Sequence, residues 1–187
     1  MFICLYIYIC IYVYMYIFKD ITTLNSISDY LPLLNGCLLV EIGMLFLFYK
    51  KLLNQYHIKK WFQTFKLNAL ILDVFILLIF IVKTIFLYKY FFNRFMIINF
   101  TALAIVFQIL NEVFFHFLVL IIPYNYNILV NYFKEYAKEL GLLSHIGYSI
   151  MMVFVALLSS HISLYSFNIN IIIFIFSTYV LAILINL

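Results

Sequence analysis

The sequence is poor in charged residues, glycine and proline, and each shortage excludes a class of protein. Only 10% of the 187 residues are Asp, Glu, Lys or Arg, whereas a soluble domain has about 25%. So few charged side chains cannot cover a water-facing surface. Four glycines and two prolines leave little room for a loop-rich or disordered chain. The composition therefore excludes both an ordinary soluble domain and a disordered protein.

Motifs that carry known chemistry are also missing. The cysteines, Cys4, Cys10 and Cys37, have no metal-ligand spacing and form no even disulfide framework. The sequence contains no HExxH pair, no paired ExxH motif, no G-x-S-x-G turn and no phosphate-binding glycine loop. No basic stripe on a soluble module indicates nucleic-acid binding. The motifs therefore predict no catalytic residue, no metal site, no cofactor and no nucleic-acid partner.

Apolar and aromatic side chains are abundant. The apolar fraction is 68%, Phe and Tyr number 22 and 17, and the mean hydropathy is +1.17. A bilayer core about 30 Å thick needs roughly 20 helical residues to cross it. The apolar stretches that reach this length are residues 31–49, 67–92, 95–122, 142–161 and 167–187. A chain in lipid must satisfy its own backbone hydrogen-bonding groups. These apolar stretches therefore predict an all-α membrane protein, a bundle of about five transmembrane helices.

An N-terminal segment, residues 1–30, precedes this bundle of residues 31–187. Residues 1–18 alternate aliphatic side chains with Tyr or Cys, as a translated AT-rich microsatellite would. Two interpretations stay open: a repeat read into the frame, with Met15 as the start, or a genuine apolar anchor that forms an extra span. The segment has neither a basic n-region nor a small-residue cleavage site, so it does not resemble a signal peptide.

A different pattern separates the third and fourth spans. From Ile128 to Leu140 the apolar side chains recur with helical spacing on one face. The opposite face carries Asn131, Lys134, Glu135, Lys138 and Glu139. The pattern predicts one amphipathic helix lying in the membrane interface, with Gly141 suited to end it. Alternatively, this helix packs on other loops or extends the fourth span.

Basic residues concentrate on one side of the predicted bundle. The connection between the first two spans carries Lys50, Lys51, Lys59, Lys60 and Lys66. The amphipathic helix adds Lys134 and Lys138, whereas the opposite side has Lys19, Lys89 and Arg94. The positive-inside rule places the 50–66 loop and the C-terminus in the cytosol, with the loop against the anionic leaflet of the bilayer. Trp61, in this loop, is predicted to anchor at the interface.

Ionisable side chains inside spans are costly in lipid and mark candidate functional positions. Glu41 lies near the middle of its span. Depth is measured from the midpoint of each span at 1.5 Å per residue. Glu112 lies about 5 Å towards the predicted cytosolic side, and Asp73 and His116 lie about 10 Å towards it. Lys83 lies about 6 Å to the other side, where it is expected to be an outer-leaflet charge.

The third span has the clearest polar pattern. Its polar residues recur at i, i+3, i+4 and i+8, so they form one stripe that must face protein or water. Glu112 and His116 are four residues apart and can hydrogen-bond to each other. The candidate intramembrane cluster comprises Glu41, Asp73, Gln108, Asn111, Glu112 and His116. Its simplest role is to join helices and set the register of the bundle.

Three short motifs resemble those of a known group of proteins. Asn111-Glu112, residues 133–141 (FKEYAKELG) and residues 149–152 (SIMM) are similar to motifs of small multi-pass membrane proteins predicted from giant DNA viruses of algae and protists. In that group an FK-x-YA-x-E-x-G helix precedes a D-S-x-MM span, and Tyr148 here stands in place of the Asp. The group has no assigned activity, so the resemblance implies a viral or viral-like source and no particular chemistry.

Three classes of function stay open. The first is a membrane scaffold or virion-membrane component, acting through helix packing, the basic loop and contacts within a homo- or hetero-oligomer. The second is a proton or ion conduit built on Glu41, Asp73, Glu112 and His116. The third is a membrane-embedded enzyme, which would hold a metal ion.

Overall fold

The computed structural model describes residues 17–50, 56–124, 126–140 and 143–186. Within these ranges the chain forms seven α-helices and no β-strand. The helices are α1 (Tyr30–Tyr49), α2 (Tyr56–Phe65), α3 (Leu67–Phe91), α4 (Ile97–Ile121), α5 (Ile128–Leu140), α6 (Leu143–Ile162) and α7 (Phe167–Leu184). A short 3-10 helix, Ile27–Asp29, leads into α1. The predicted N-terminal repeat, residues 1–18, lies outside the described residues except for its last two.

The prediction of an all-α membrane protein is confirmed. Helices α1, α3, α4 and α7 are long and apolar enough to cross a membrane, and α6 contains a shorter apolar stretch, Ile146–Ile162. Helix α5 occupies the residues predicted to form an amphipathic helix. Several polar side chains of the apolar helices are buried, among them Asn35, Glu41, Asp73 and Gln108.

Successive apolar helices run in opposite directions, so the bundle has two ends. We call the end that carries α2 and α5 the Trp61 side, and the end that carries residues 17–29 the Asn25 side. The hydroxyl of Tyr49 donates to the carbonyl of Leu184 at 2.5 Å, which brings the last residues of α1 and α7 together on the Trp61 side. Helix α1 packs against α3, α6 and α7, and α4 packs against α3 and α6. Helix α1 is therefore the centre of the bundle.

A glycine sets the distance between α1 and α6. A Cβ atom built on Gly36 would lie 2.2 Å from Ser159 Oγ and 3.1 Å from the backbone nitrogen of Ser159. Both residues are buried. Small residues let membrane helices approach closely, and van der Waals packing then holds them together. The contact between α1 and α6 therefore requires the hydrogen that glycine has in place of a side chain.

A buried asparagine pair joins α7 to the rest of the bundle. Asn35 Nδ2 donates to the backbone carbonyl of Asn170 at 2.9 Å and to its side-chain oxygen at 3.1 Å. Asn170 Nδ2 donates in turn to the carbonyl of Ile162, at the end of α6, at 3.3 Å. Because lipid offers no competing hydrogen-bond partners, these bonds tie α1, α6 and α7 together near the Asn25 side.

Helix α2 lies in a stretch whose sequence predicts only a loop between two spans. Its ten residues include only a small apolar face around Trp61, Phe62 and Phe65. Helices this short are marginal in isolation, so tertiary packing must stabilise it. Lys66, which links α2 to α3, has a φ of 45°, a conformation rarely adopted by L residues. This backbone conformation turns the chain from α2 directly into the apolar helix α3.

Candidate functional site

Five of the six predicted polar residues fall into two groups, and the sixth, Gln108, is buried where α4 meets α6. Glu41 on α1 and Asp73 on α3 are buried in the bundle, with 1% and 7% of their surface exposed. Asn111, Glu112 and His116 on α4 line a cleft that opens between α3, α4, α5 and α6. The structure therefore does not gather all the predicted residues at one point.

Asp73 is the hydrogen-bond acceptor of the single tryptophan. Trp61 Nε1–H donates to Asp73 Oδ2 at 2.8 Å, and both side chains are buried. An indole N–H can only donate, so burial of the ring requires an acceptor of this kind. Its place in the basic loop predicts that Trp61 lies at the membrane interface, whereas the structure places its ring inside the protein. The bond fixes α2 onto the Trp61 side of α3.

Aromatic rings extend this contact from α2 to α5. The Trp61 ring lies 4.8 Å from Phe65, 5.0 Å from Tyr132 and 5.5 Å from Phe133, measured between ring centres. Lys60 Nζ and Glu135 Oε2, on the exposed edge of the same contact, form an ion pair. We call the unit formed by α2 and α5 the platform. In this unit the amphipathic helix packs on residues 56–65.

Burial within the platform also changes the chemistry of Tyr132. Its side chain is 6% exposed, and this burial raises the pKa of its hydroxyl, with smaller contributions from Tyr136 and Asp73. A tyrosine hydroxyl is already neutral at physiological pH, and burial favours the same protonated form.

The predicted polar face of α5 differs from the observed one at Lys134. This lysine is only 5% exposed, although its helical position predicts a solvated side chain. Its ammonium group donates to the backbone carbonyl of Ile122 and lies 4.4 Å from the centre of the Tyr124 ring. The lysine therefore reaches back to the connection between α4 and α5, whose course the periodicity of α5 does not reveal.

Several predicted polar side chains pair across helices. Gln108 Oε1 on α4 accepts from Ser149 Oγ on α6 at 2.9 Å. Asn111 Oδ1 accepts from Lys83 Nζ on α3 at 2.8 Å. The ammonium group of Lys83, predicted as an outer-leaflet charge, thus contacts the middle of α4. These bonds join α4 to both of its neighbours, as expected of polar residues that stabilise helix contacts in lipid.

Glu41 has an incomplete set of partners. Its Oε2 atom is buried and has no hydrogen-bond partner within the described part of the chain. Asp73 lies within electrostatic range of it. Two acidic groups so placed in an apolar core are costly, and such positions in membrane helices mark functional candidates.

Tyr148 connects the two groups of polar residues. This α6 side chain lies within electrostatic range of Asp73, Glu41, Glu112 and Tyr136. It stands where the resembled group has an Asp, and in the structure it lines the cleft from α6.

Glu112 and His116 lie in the cleft, whose volume is about 710 Å³. The His116 ring is 6.4 Å from that of Phe117 and nearly perpendicular to it. The cleft is lined mostly by apolar side chains, with Tyr136 and Tyr148 adding hydroxyl groups. Among the residues that the structure describes, no three His, Cys, Asp or Glu side chains come together as a metal-binding group.

No protein-family model, no curated protein and no solved structure matches the chain. Its own residues therefore establish the coarse identity: the protein is an all-α membrane protein in which buried polar groups join helices and further polar side chains line a cleft.

Proposed function

We propose that the protein is a structural membrane protein, a scaffold that holds the platform at one face of the bilayer. The Trp61–Asp73 hydrogen bond carries this proposal, because it couples α2 to the bundle through two buried side chains. The pairing of Gln108 with Ser149 supports it, since this polar group joins helices. A scaffold needs this rigidity and needs no reacting group.

The platform faces the cytosol and gathers anionic lipid beneath it. Lys59, Lys66 and Lys138 are exposed on α2, at the junction with α3, and on α5. Lysines beside an anionic leaflet contribute about 1 kcal/mol each to attraction. The excess of basic residues on this side supports the cytosolic orientation by the positive-inside rule.

The scaffold belongs to a viral membrane, including that of the virion, and assembles there with further copies or other proteins. The resemblance at Asn111-Glu112 and at residues 133–141 to giant-virus membrane proteins supports this setting.

Lipid clustering tests the proposed function. The protein is reconstituted in liposomes that contain a self-quenching, headgroup-labelled anionic lipid, and quenching is measured against the protein-to-lipid ratio. We expect quenching above that of protein-free liposomes, and its loss at about 1 M salt, where the Debye length is about 3 Å. A variant with Lys59→Gln and Lys66→Gln should cluster the lipid weakly.

The matched control removes two charges from the opposite end. The variant with Lys89→Gln and Arg94→Gln changes exposed basic residues on the Asn25 side. It is tested in a bilayer that carries the labelled lipid only in the leaflet facing the platform. There it should cluster the lipid as well as the unaltered protein does. Equal loss of clustering in both double variants, or no clustering by the unaltered protein, would contradict the scaffold.

A proton conduit is the second candidate, favoured by one observation. Tyr148 lies within electrostatic range of Glu41, Asp73 and Glu112, which together reach from the centre of the bundle to the cleft. Chains of carboxyl and hydroxyl groups inside membrane proteins carry protons in pumps and transporters.

Proton flux in proteoliposomes separates the two candidates. The unaltered protein is compared with Glu112→Gln and His116→Ala across a pH gradient. If the protein is a scaffold, we expect every sample to show the same proton flux as protein-free liposomes. A flux that disappears in both variants while their helix content is retained would replace the scaffold with the conduit.

A further inference from the structure

Lys83 is a basic side chain exposed inside a helix that is long and apolar enough to cross the membrane. It belongs to α3 and lies about 6 Å from the midpoint of that helix. Ile79 and Phe86, which share its helical face, are exposed as well. Lys83 therefore stands on a face that α3 presents to the bilayer.

The ammonium group of Lys83 is directed into the membrane. Its Nζ atom donates to Asn111 Oδ1 at 2.8 Å, and Asn111 lies about 3 Å from the midpoint of α4. Helical side chains lean towards the N-terminus of their helix, and α3 begins on the Trp61 side. Lys83 therefore leans towards the bilayer centre and away from the interface on the Asn25 side, which a snorkelling lysine would reach.

This ammonium group has no anionic partner in the structure. Its hydrogen bond to Asn111 uses one of three donors and ends on a neutral amide oxygen. Within the described part of the chain, Lys83 forms no ion pair. Charged side chains inside membrane helices are costly and usually pair with an opposite charge.

No acidic residue of the chain is placed to supply that charge. Four of the seven acidic residues lie outside the spans, before α1 or on α5: Asp20, Asp29, Glu135 and Glu139. Glu41 and Asp73 are buried in the bundle, whereas Lys83 is exposed. Glu112 already has an interaction partner of its own. The missing carboxylate must therefore come from outside the chain.

The geometry points to a docking site for a membrane helix of another protein that carries an Asp or Glu near the middle of its span. The carboxylate of that helix pairs with the Lys83 ammonium group. Its apolar side chains pack on Ile79 and Phe86 of α3 and on Phe114 of α4, all of which are exposed. This inference rests on the proposed scaffold and names the class of protein that assembles with it.

Two other occupants fit the site less well. A lipid phosphate lies at the interface, about 15 Å from the bilayer centre, and would have to enter hydrocarbon to reach Lys83. A second copy of the chain could offer only Glu112 at this depth, and that carboxyl group is already engaged. A carboxylate on another helix can lie at any depth, and its charged hydrogen bond is strong in surroundings of low dielectric.

Model membrane peptides of defined sequence test the site. Each is a poly-leucine span of about 21 residues with an acceptor dye at one end and Asp, Asn or Lys at its central position. The full-length protein carries a donor dye on Asn93→Cys, in the exposed connection between α3 and α4, in a background without the native cysteines. Energy transfer in liposomes of zwitterionic lipid measures the association.

We expect saturable energy transfer with the Asp peptide and at least about tenfold weaker association of the Asn and Lys peptides, as a charge-assisted contact implies. Lys83→Met removes the charge and should reduce association of the Asp peptide to that of the Asn peptide, whereas Lys83→Arg should retain it. Lys89→Met, which changes an exposed lysine in the last turn of the same helix, is the matched control and should leave association unchanged.

Three results would overturn the site. The first is equal association of the Asp and Asn peptides, a comparison that leaves the protein unaltered and needs no folded variant. The second is equal loss of Asp-peptide association in Lys83→Met and Lys89→Met, with helix content and Trp61 emission retained. The third is displacement of the Asp peptide by anionic lipid at constant ionic strength, which would assign Lys83 to a lipid anion.

Oligomeric state and lipid clustering are measured on the same samples. A dimer of the unaltered protein that Lys83→Met dissociates would assign this face to a second copy of the chain and overturn the proposed partner. Lipid clustering depends on the lysines of the platform and does not involve Lys83. Failure of peptide association with clustering retained would therefore reject this docking site and leave the proposed scaffold intact.

Discussion

At the scale of single residues, the contact between α1 and α6 depends on the missing side chain of Gly36. The backbone nitrogen of Ser159 lies 3.1 Å from the position that a Cβ atom would take. An alanine methyl group cannot be accommodated by side-chain rotation alone, because this neighbour is backbone. Helix α6 would have to move, and it is the helix that also positions Ser149 and Tyr148.

Gly36→Ala is expected to lower the free energy of unfolding by about 1–3 kcal/mol, the usual cost of overpacking. Denaturant titration in detergent micelles, followed by circular dichroism, measures this change. Gly43→Ala on the same helix is the matched control, because a Cβ atom there meets nothing within 4 Å. The control should be neutral or should stabilise the helix by up to about 1 kcal/mol.

Ser159→Ala in the Gly36→Ala background should restore part of the lost stability. It removes the Oγ atom that lies 2.2 Å from the added methyl position. Equal unfolding free energies for Gly36→Ala and Gly43→Ala would contradict the close approach of α1 and α6.

At the scale of elements, α2 depends on its docking to the bundle. Its ten residues fall short of the roughly 12–15 that an isolated helix needs for stability in water. The Trp61–Asp73 bond and the rings of Tyr132 and Phe133 supply the missing stabilisation. The helical structure of α2 and its packing against the bundle should therefore be lost together.

Asp73→Leu is expected to undock α2, because the buried Trp61 N–H then has no acceptor, which costs about 1–3 kcal/mol. Asp73→Asn keeps a carbonyl acceptor and should retain the contact. Trp61 is the only tryptophan, so its emission reports docking directly. We expect a red shift for Asp73→Leu, and unchanged emission for Asp73→Asn and for Gln63→Leu on the exposed face of α2. Identical emission from all of these variants would show that the hydrogen bond does not hold α2.

At the scale of the whole molecule, the bundle separates basic residues between its two ends. The Trp61 side carries Lys59, Lys60, Lys66, Lys134 and Lys138, whereas the Asn25 side carries Lys19, Lys89 and Arg94. This asymmetry predicts that the platform is cytosolic.

Cysteine labelling in cells tests the orientation. In a background without the native cysteines, Gln63→Cys should react with an impermeant maleimide only after permeabilisation. Asn93→Cys, in the exposed connection between α3 and α4, should react in intact cells. The reverse pattern would contradict the predicted orientation, and reaction of both cysteines from the same side would contradict the antiparallel bundle.

Composition and periodicity predicted the fold class. An apolar stretch of about 20 residues has few alternatives to a helix in lipid, and the register of Gln108 and Asn111 placed them on an inward stripe. The Trp61–Asp73 bond was not predictable, because its partners lie on different helices with no shared pattern. The burial of Lys134 was missed for a similar reason, since its partners belong to the connection after α4.

The sequence by itself determined that this chain is helical and embedded in lipid. The shortage of charged residues excludes a water-facing surface, and a chain surrounded by lipid must satisfy its backbone groups within helices. Only the tertiary structure decided that α2 exists, that Trp61 is buried on Asp73, and that α4 leaves a cleft beside Glu112. Helix rotation and contact depend on side chains of several helices fitting together. Hydrophobic length and spacing along one helix do not contain that information.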